Sequence, residues 1–168
     1  MFILRESIEI AAPIERCFLL STSLAIVERE LHMHPVPAEY MDEHGNRQAT
    51  RTTGLVTGND RVRWEGWQLG LPQYHVSLIA PFEPYRFFRD RMVAGRFRSF
   101  EHGHAFTPTQ NGTRLNDEVR FTLPFGPFGW LAARFILVPH IRGLMRRRFR
   151  LLKQIAESNE WRRYLPQD

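Results

Sequence analysis

The chain has 168 residues, 43% hydrophobic and 24% charged, with a formal net charge of +5 at pH 7. These proportions are typical of a single globular domain, predicted here to span residues 1–168, and they exclude an intrinsically disordered chain. No apolar run reaches the roughly 18 residues of a transmembrane helix, and the N-terminal residues do not resemble a signal peptide.

The first predicted elements are a strand and two short helices. Apolar and polar residues alternate across Phe2–Ile10, which predicts a strand. A helix is predicted to begin after Pro13, because proline favours the first turn of a helix. A second helix is predicted over Ser23–Leu31 with Ser23 as its N-cap. The stretch His32–Asn46 carries two prolines and one glycine and is predicted to be irregular.

The middle of the chain has the pattern of short strands separated by tight turns. Glycine, proline and asparagine recur between segments that are rich in alternating apolar residues. The predicted strands are Gln48–Val56, Asp60–Leu69, Tyr74–Pro81, Arg86–Ala94, Phe97–Thr107 and Thr113–Leu123. Short connections between successive strands favour an antiparallel meander.

The last third of the chain predicts a long helix. Arginines concentrate between His140 and Lys153, a segment with six basic residues and no acidic one, and we expect them to occupy the solvent face. Pro139 is predicted to kink the helix near Leu137. The apolar stripe is predicted to consist of Leu131, Phe135, Val138, Met145, Phe149, Leu152 and Ala156.

Three segments and the arginine-rich helix carry a resemblance to a known superfamily. The segments are D-R-V-R-W-E-G-W at 60–67, F-R-D-R-M-V-A-G-R-F-R-S-F-E-H at 88–102 and N-D-E-V-R-F-T-L-P-F-G-P-F-G at 116–129. With this helix they resemble the START-like superfamily, also called polyketide cyclase/dehydrase-like or SRPBCC, in a bacterial branch whose members stand alone or precede an epimerase-like domain. The resemblance covers nearly the whole chain.

The resemblance implies an α+β helix-grip fold, shared with the birch pollen allergen Bet v 1. In this fold a curved antiparallel sheet of about seven strands surrounds a long C-terminal helix, with two short helices after the first strand. The superfamily includes lipid carriers, hormone receptors, cyclases and dehydratases. The fold by itself therefore does not select a function.

The turn Asn111-Gly112 predicts which residues face the interior. A two-residue type I′ hairpin would pair Gln110 with Thr113, and the residue numbers of the two partners in every further pair would add up to 223. A slip of one residue would bury Glu118 and Arg120 and expose aromatic residues, which is energetically unfavourable. The face predicted to point inward carries Phe100, His102, His104, Phe106, Leu115, Asp117, Val119, Phe121 and Leu123.

This register predicts a polar cluster at one end of an apolar pocket. Asp117 is predicted to lie diagonally across from His104, Asp90 to point inward, and Arg98 to pair with an inward carboxylate. Such a cluster would orient the carbonyl, hydroxyl or carboxylate of a ligand, although a polar network that only fixes the sheet remains an alternative. The predicted ligand-binding residues are Trp64, Phe88, Asp90, Arg98, Phe100, His102, His104, Phe106, Asp117 and Phe121.

The same residues allow several kinds of chemistry. If the protein is an enzyme, His104 or His102 with Asp117 would move a proton, as in cofactor-free cyclases, dehydratases or isomerases. His102-x-His104 and His32-x-His34 have metal-ligand spacing, but nothing nearby completes a common site, so no metal and no cofactor are predicted. His32 and His34 are predicted to lie at the pocket mouth or on the surface.

The sequence thus favours a binding or carrier protein for a hydrophobic small molecule such as a lipid, isoprenoid or polyketide. The alternatives are an enzyme and a membrane-surface or protein-interaction module. Membrane contact through the C-terminal helix would use Phe125, Phe128, Trp130 and Leu131, unless these residues pack the open end of the sheet. We predict no nucleic-acid partner and a monomer or homodimer, and the lone Cys17 favours a reducing cytoplasm.

Overall fold

The computed structural model describes residues 1–42, 44–124 and 126–166. Seven of the strands in these residues form one antiparallel sheet, whose spatial order is β1-β9-β8-β7-β6-β5-β2. The other two strands pair with each other in a separate hairpin. The strands are β1 (Phe2–Ile10), β2 (Met33–Val36), β3 (Glu39–Met41), β4 (Arg47–Ala49), β5 (Arg61–Gln68), β6 (Leu71–Glu83), β7 (Phe87–Gly95), β8 (Ser99–Thr109) and β9 (Gly112–Thr122).

Helices cover one face of the sheet, as the predicted helix-grip fold requires. A long C-terminal helix packs on β1 and on the two short helices that follow it. Within the described residues, no helix combines the length and the apolar character that crossing a bilayer would need. The helices are α1 (Ile14–Ser21), α2 (Leu24–Leu31), α3 (Gly126–Ala132), a π-helical turn (Ala133–Leu137), α4 (Val138–Glu157) and a terminal 3-10 helix (Asn159–Arg163).

The core divides into two apolar clusters. In the first, the ring of Phe18 on α1 packs edge-on against Phe82, Phe88 and Phe106 of the sheet, with ring centroids 5.2–5.6 Å apart. In the second, Leu4, Val119, Phe121, Ile141 and Met145 join β1 and β9 to α4. These clusters fix the sheet and the helix at a set separation.

The region from His32 to Val56 differs from its prediction. The supposedly irregular stretch contains β2, which pairs with β5 and completes the seven-stranded sheet. The predicted strand Gln48–Val56 is wrong, because only β4 is extended there and it pairs with β3 outside the main sheet. Pro35 is tolerated because β2 is an edge strand, where one side of the backbone has no partner.

The C-terminal helix is irregular where Pro139 predicts a kink or break, but its backbone stays helical there. The amide of Val138 bonds back to the carbonyl of Ala133 in a π-helical turn, and α4 begins directly after Leu137. The extra residue in this turn rotates the preceding residues relative to α4. Ala133 is therefore buried, whereas Leu131 and Phe135, which the predicted apolar stripe includes, are exposed.

The register of the β8–β9 hairpin differs from the prediction by two residues. Thr109 pairs with Gly112, so the residue numbers of paired positions add up to 221. In this register His104 lies directly opposite Asp117. Neither Gln110 nor Asn111 has a positive φ, so the turn is not type I′. Gly112 is needed instead because a Cβ there would lie 2.2 Å from the carbonyl oxygen of Ile10.

A shift of two residues leaves the faces of a strand unchanged, since side chains alternate with a period of two. The inward face is therefore the one that the sequence predicts. His104, Phe106, Leu115, Asp117, Val119 and Phe121 are buried, and Phe100 and His102 are half-buried on that face.

Candidate functional site

A cavity of about 330 Å³ lies between the concave face of the sheet and the helices. Strands β5 to β9, both short helices and α4 all contribute to its wall. Most of the wall is apolar, with Val62, Trp64, Ile79, Phe88, Phe97, Phe100, Val119, Ile141, Leu144 and Met145 among the lining residues. Polar groups converge at one side, which is the usual composition of a small-molecule site.

The structure brings together most of the ten predicted site residues. Trp64, Phe88, Asp90, Phe100, His102 and His104 line the cavity. Asp117 is buried and contacts both histidines but is not part of the wall. Phe106 and Phe121 are buried in the two core clusters and do not form part of the wall either. Arg98 is exposed just before β8 and does not line the cavity, so its predicted pairing with an inward carboxylate is wrong. Arg96, two residues earlier, lines it instead.

Asp117 holds the two histidines of β8. Its Oδ1 lies 2.8 Å from Nδ1 of His104, and its Oδ2 lies 3.0 Å from Nε2 of His102. Burial by itself would raise the pKa of Asp117, but the two imidazoles outweigh it and hold this pKa well below its usual value. The ionised carboxylate can only accept, so both ring nitrogens donate to it.

His104 is neutral at neutral pH. Complete burial lowers the pKa of His104 to about 3, and the nearby Asp117 does not compensate. The charge that balances Asp117 comes instead from Arg148 of α4, whose Nε lies 3.6 Å from Oδ2. His104 therefore acts as a fixed hydrogen-bond donor and is too weakly basic to accept a proton at neutral pH.

Arg148 also pairs with Glu30 of α2 inside the molecule. Its Nη1 lies 3.4 Å from Oε2 of Glu30, and its Nη2 donates to the carbonyl of Ser21 over 3.3 Å. Both side chains are almost completely buried. Desolvation raises the pKa of Glu30 to about 7, although Arg148 opposes the rise. The helices are thus tied to the sheet by a buried chain of charges.

Two further histidine contacts complete the polar side, one with a carboxylate and one with an amide. Ser77 donates to Oδ2 of Asp90 over 2.8 Å, and Nε2 of His75 lies 3.6 Å from the other oxygen, Oδ1. Burial opposes ionisation of Asp90, but His75 and Ser77 keep its pKa below the usual value. At the mouth, Oε1 of Gln68 lies 3.0 Å from Nε2 of His140, which connects the β5–β6 turn to α4.

Solved structures share this architecture over nearly the whole chain. The Thermus thermophilus protein TTHA0849 matches with a TM-score of 0.67 and 19% identity, covering 90% of this chain and 94% of that one. A START superfamily protein from Mycobacterium smegmatis matches with a TM-score of 0.61 and 11% identity, covering 92% and 97%. The chain has a START-like fold.

A third structure with the START-like fold is the di-domain ARO/CYC StfQ from the steffimycin biosynthetic pathway. It matches with a TM-score of 0.63 and 17% identity, covering 92% of this chain and 50% of the StfQ chain. No protein-family model and no curated protein matches the sequence. The resemblance drawn from the three sequence segments is confirmed at the level of the fold.

Sequence reasoning missed Glu30, His75 and Arg148 of the START-like cavity. Arg148 was assigned to the solvent face with the other arginines, yet it lies three residues after Met145 and four before Leu152, inside the apolar stripe. Glu30 likewise follows the buried Ile26 by one helical turn. Helical spacing, if applied to charged residues as well as apolar ones, would have placed both inside.

The cluster of His102, His104 and Asp117 is compact enough to hold a metal ion, since its ligand atoms lie within 4.8 Å of one another. The donor nitrogens, however, already bond to the carboxylate, and the guanidinium of Arg148 lies beside it. A cation would meet that positive charge at close range. These contacts favour a polar network over a metal centre. His32 and His34 are both exposed and lie outside the cavity wall.

Proposed function

We propose that the protein binds a hydrophobic small molecule in the cavity between the sheet and α4. The observation that carries the proposal is the cavity itself, about 330 Å³ and walled mainly by aromatic and aliphatic side chains. Natural small-molecule sites begin at about this size and have this composition. A lipid, an isoprenoid or a polyketide-like molecule would match the wall.

Two of the structurally similar proteins support this proposal. One is a START superfamily protein and the other is an ARO/CYC protein from a biosynthetic pathway. At identities of 11% and 17%, what this chain shares with them is the fold. The choice of ligand therefore rests on the cavity wall.

Titration with N-phenylnaphthylamine, an uncharged apolar fluorophore, tests the proposal. We expect saturable binding to the wild type and binding about tenfold weaker in Val62→Phe, because the larger ring occupies the space beside Trp64. Val93→Phe on β7 is the matched control, since Val93 is exposed and lies outside the cavity wall. Equal binding by all three proteins would contradict the proposal.

A cofactor-free proton-transfer enzyme is the second candidate, and His102 supports it. Asp117 fixes this ring through Nε2, and Nδ1 makes no hydrogen bond within the described residues. An imidazole oriented by a carboxylate is a common device for general acid–base catalysis. A co-purified molecule whose mass and chromatographic retention are both unchanged after incubation supports carriage, whereas a change in either one supports turnover by the His102–Asp117 pair.

We also propose that the protein contacts membranes through an apolar rim at the cavity mouth. The side chains of this rim are exposed, 84% for Phe128 and 66% for Trp67. Phe125 lies outside the described residues. We define the rim as the exposed apolar side chains of two segments, of which Leu69 and Leu71 also line the cavity. They are Phe128, Leu131, Phe135 and Ile136 of the C-terminal helical segment and Trp67, Leu69 and Leu71 around the β5–β6 turn. The alternative, that the aromatics pack the open end of the sheet, does not fit Phe128, although Trp130 contacts Phe2.

Co-sedimentation with vesicles of phosphatidylglycerol and phosphatidylcholine tests membrane contact. The rim lies next to exposed arginines of α4, so we expect binding that persists in about 0.5 M salt because apolar insertion is not screened. Joint replacement Phe128→Ser and Phe135→Ser should reduce the bound fraction about tenfold. Met41→Ser removes an exposed apolar side chain elsewhere and should change nothing. Unchanged binding by the double variant would exclude the rim.

A further inference from the structure

The polar side of the cavity has two layers that differ in accessibility. The inner layer consists of Glu30, His104, Asp117 and Arg148, whose side chains are at most 5% exposed. The outer layer consists of His75, Asp90 and His102, whose side chains are 18%, 26% and 17% exposed. All three outer residues line the cavity, as do Glu30, His104 and Arg148, but the outer three are the more exposed part of this polar wall.

The three outer residues form one patch on neighbouring strands. Asp90 of β7 lies directly opposite His102 of β8, and Nε2 of His75 on β6 lies 3.6 Å from the carboxylate of Asp90. That carboxylate receives one hydrogen bond, from Ser77 to Oδ2, and its other oxygen, Oδ1, is buried and has no hydrogen-bond partner within the described residues. A carboxylate normally accepts more bonds than this, so Asp90 retains accepting capacity.

The imidazole of His102 lies beside Asp90 on the accessible part of the wall. Its Nε2 donates to Asp117, and its Nδ1 makes no hydrogen bond within the described residues. The acceptor Asp90 and an unbonded ring nitrogen of His102 therefore lie side by side. A group that donates a hydrogen bond would match them.

The nearest fixed charge that a ligand group at the patch meets is the carboxylate of Asp90 itself. Arg148 also lines the cavity, but it is almost completely buried and contacts Glu30, Asp117 and the carbonyl of Ser21. Arg96 lines the cavity and is exposed. An anionic ligand group at the patch would face the ionised Asp90, which is unfavourable in a partly desolvated site.

We propose that His75, Asp90 and His102 form a specificity patch that selects apolar ligands presenting an uncharged hydroxyl group and rejects ligands presenting a carboxylate. This inference rests on the proposed binding function. It narrows the ligand chemistry, since the sequence left a carbonyl, a hydroxyl and a carboxylate equally open. The hydroxyl would donate to Asp90 and lie beside His102.

Calorimetric titration with three probes of similar size and shape tests the patch. The probes are β-naphthol, its methyl ether, which has no donor, and β-naphthoate, which is anionic at neutral pH. We expect β-naphthol to bind about tenfold more tightly than either of the others, as a charge-assisted hydrogen bond predicts. In Asp90→Asn the preference for β-naphthol should shrink to about threefold or less, and β-naphthoate should bind more tightly than to the wild type.

Glu101→Gln is the matched control, because Glu101 precedes His102 on β8 but pairs with Arg89 outside the cavity. It should leave all three affinities unchanged. Binding of none of the probes would count against the proposed function itself. Binding in which β-naphthoate is equal to or tighter than β-naphthol would overturn the specificity patch while leaving the binding function intact.

Discussion

Replacing Arg148 with methionine is expected to lower the free energy of unfolding by about 3 kcal/mol or more. The substitution keeps an apolar stem but removes the guanidinium that lies between Glu30 and Asp117. Two buried carboxylates would then lack a counter-charge, and an uncompensated buried charge is among the most destabilising changes known in proteins. Urea denaturation measures the loss directly.

Two comparison variants make this expectation specific to the buried charge. Arg147→Met alters the preceding, exposed arginine and should change stability by no more than about 0.5 kcal/mol. The double variant Glu30→Gln with Arg148→Met should be less unstable than Arg148→Met alone, because one of the stranded carboxylates is gone. A loss below about 1 kcal/mol for Arg148→Met would contradict the described network.

The second large effect is a pair of opposing pH dependences that arise inside the same network. The pKa of Glu30 is raised from 4.5 to about 7, so between these values the folded state holds more protons and stability falls as pH rises. The pKa of His104 is lowered from 6.5 to about 3, so there the unfolded state holds more protons and stability rises with pH. In the overlap the two slopes oppose each other.

Single replacements should therefore separate the two slopes. Glu30→Gln should leave a stability that rises as pH increases toward 6.5, and His104→Asn should leave one that falls as pH increases from 4.5 toward 7. Each slope is limited to about 1.4 kcal/mol per pH unit for one proton. Denaturation in urea at a series of pH values measures both. Glu15→Gln, an exposed acidic residue of α1, should follow the wild type, and parallel profiles for all proteins would refute this assignment.

The inward face of the sheet could be predicted because of its alternation, even though the turn was wrong. The sequence predicts Asn111 and Gly112 as the two central residues of the turn. In the structure, glycine is required at 112 because the backbone there lies close to the carbonyl oxygen of Ile10. An error of two residues moves every partner but no side chain from one face to the other. For this reason His102, His104 and Asp117 lie on the predicted face of the sheet although the predicted register is wrong.

The charged part of the site could not be predicted in the same way. Apolar periodicity assigns a charged residue to solvent by default, and that rule placed Arg148 with its exposed neighbours. Arg148 is held inside by the carboxylates of Glu30 on α2 and Asp117 on β9, which are distant from it in the sequence. Such a contact appears only when the fold brings the elements together.

An edge strand and a helix irregularity explain the remaining differences between the predicted and the observed elements. Strand β2 contains Pro35 and follows a helix whose last residue leads into His32 with a positive φ, so its composition does not resemble a strand. The position of the irregularity before Pro139 was predicted correctly, but the helix continues there as a π-helical turn and does not break. That turn is what exposes Phe135 and creates part of the apolar rim.

The central claim is that the space between sheet and helix receives an apolar ligand. A crystal structure of the protein grown with N-phenylnaphthylamine tests it most directly. The account predicts the aromatic rings of the fluorophore inside the cavity, in contact with Trp64, Phe88 and Phe100. Rings seated only on the exposed rim around Phe128, with the cavity free of the fluorophore, would contradict it.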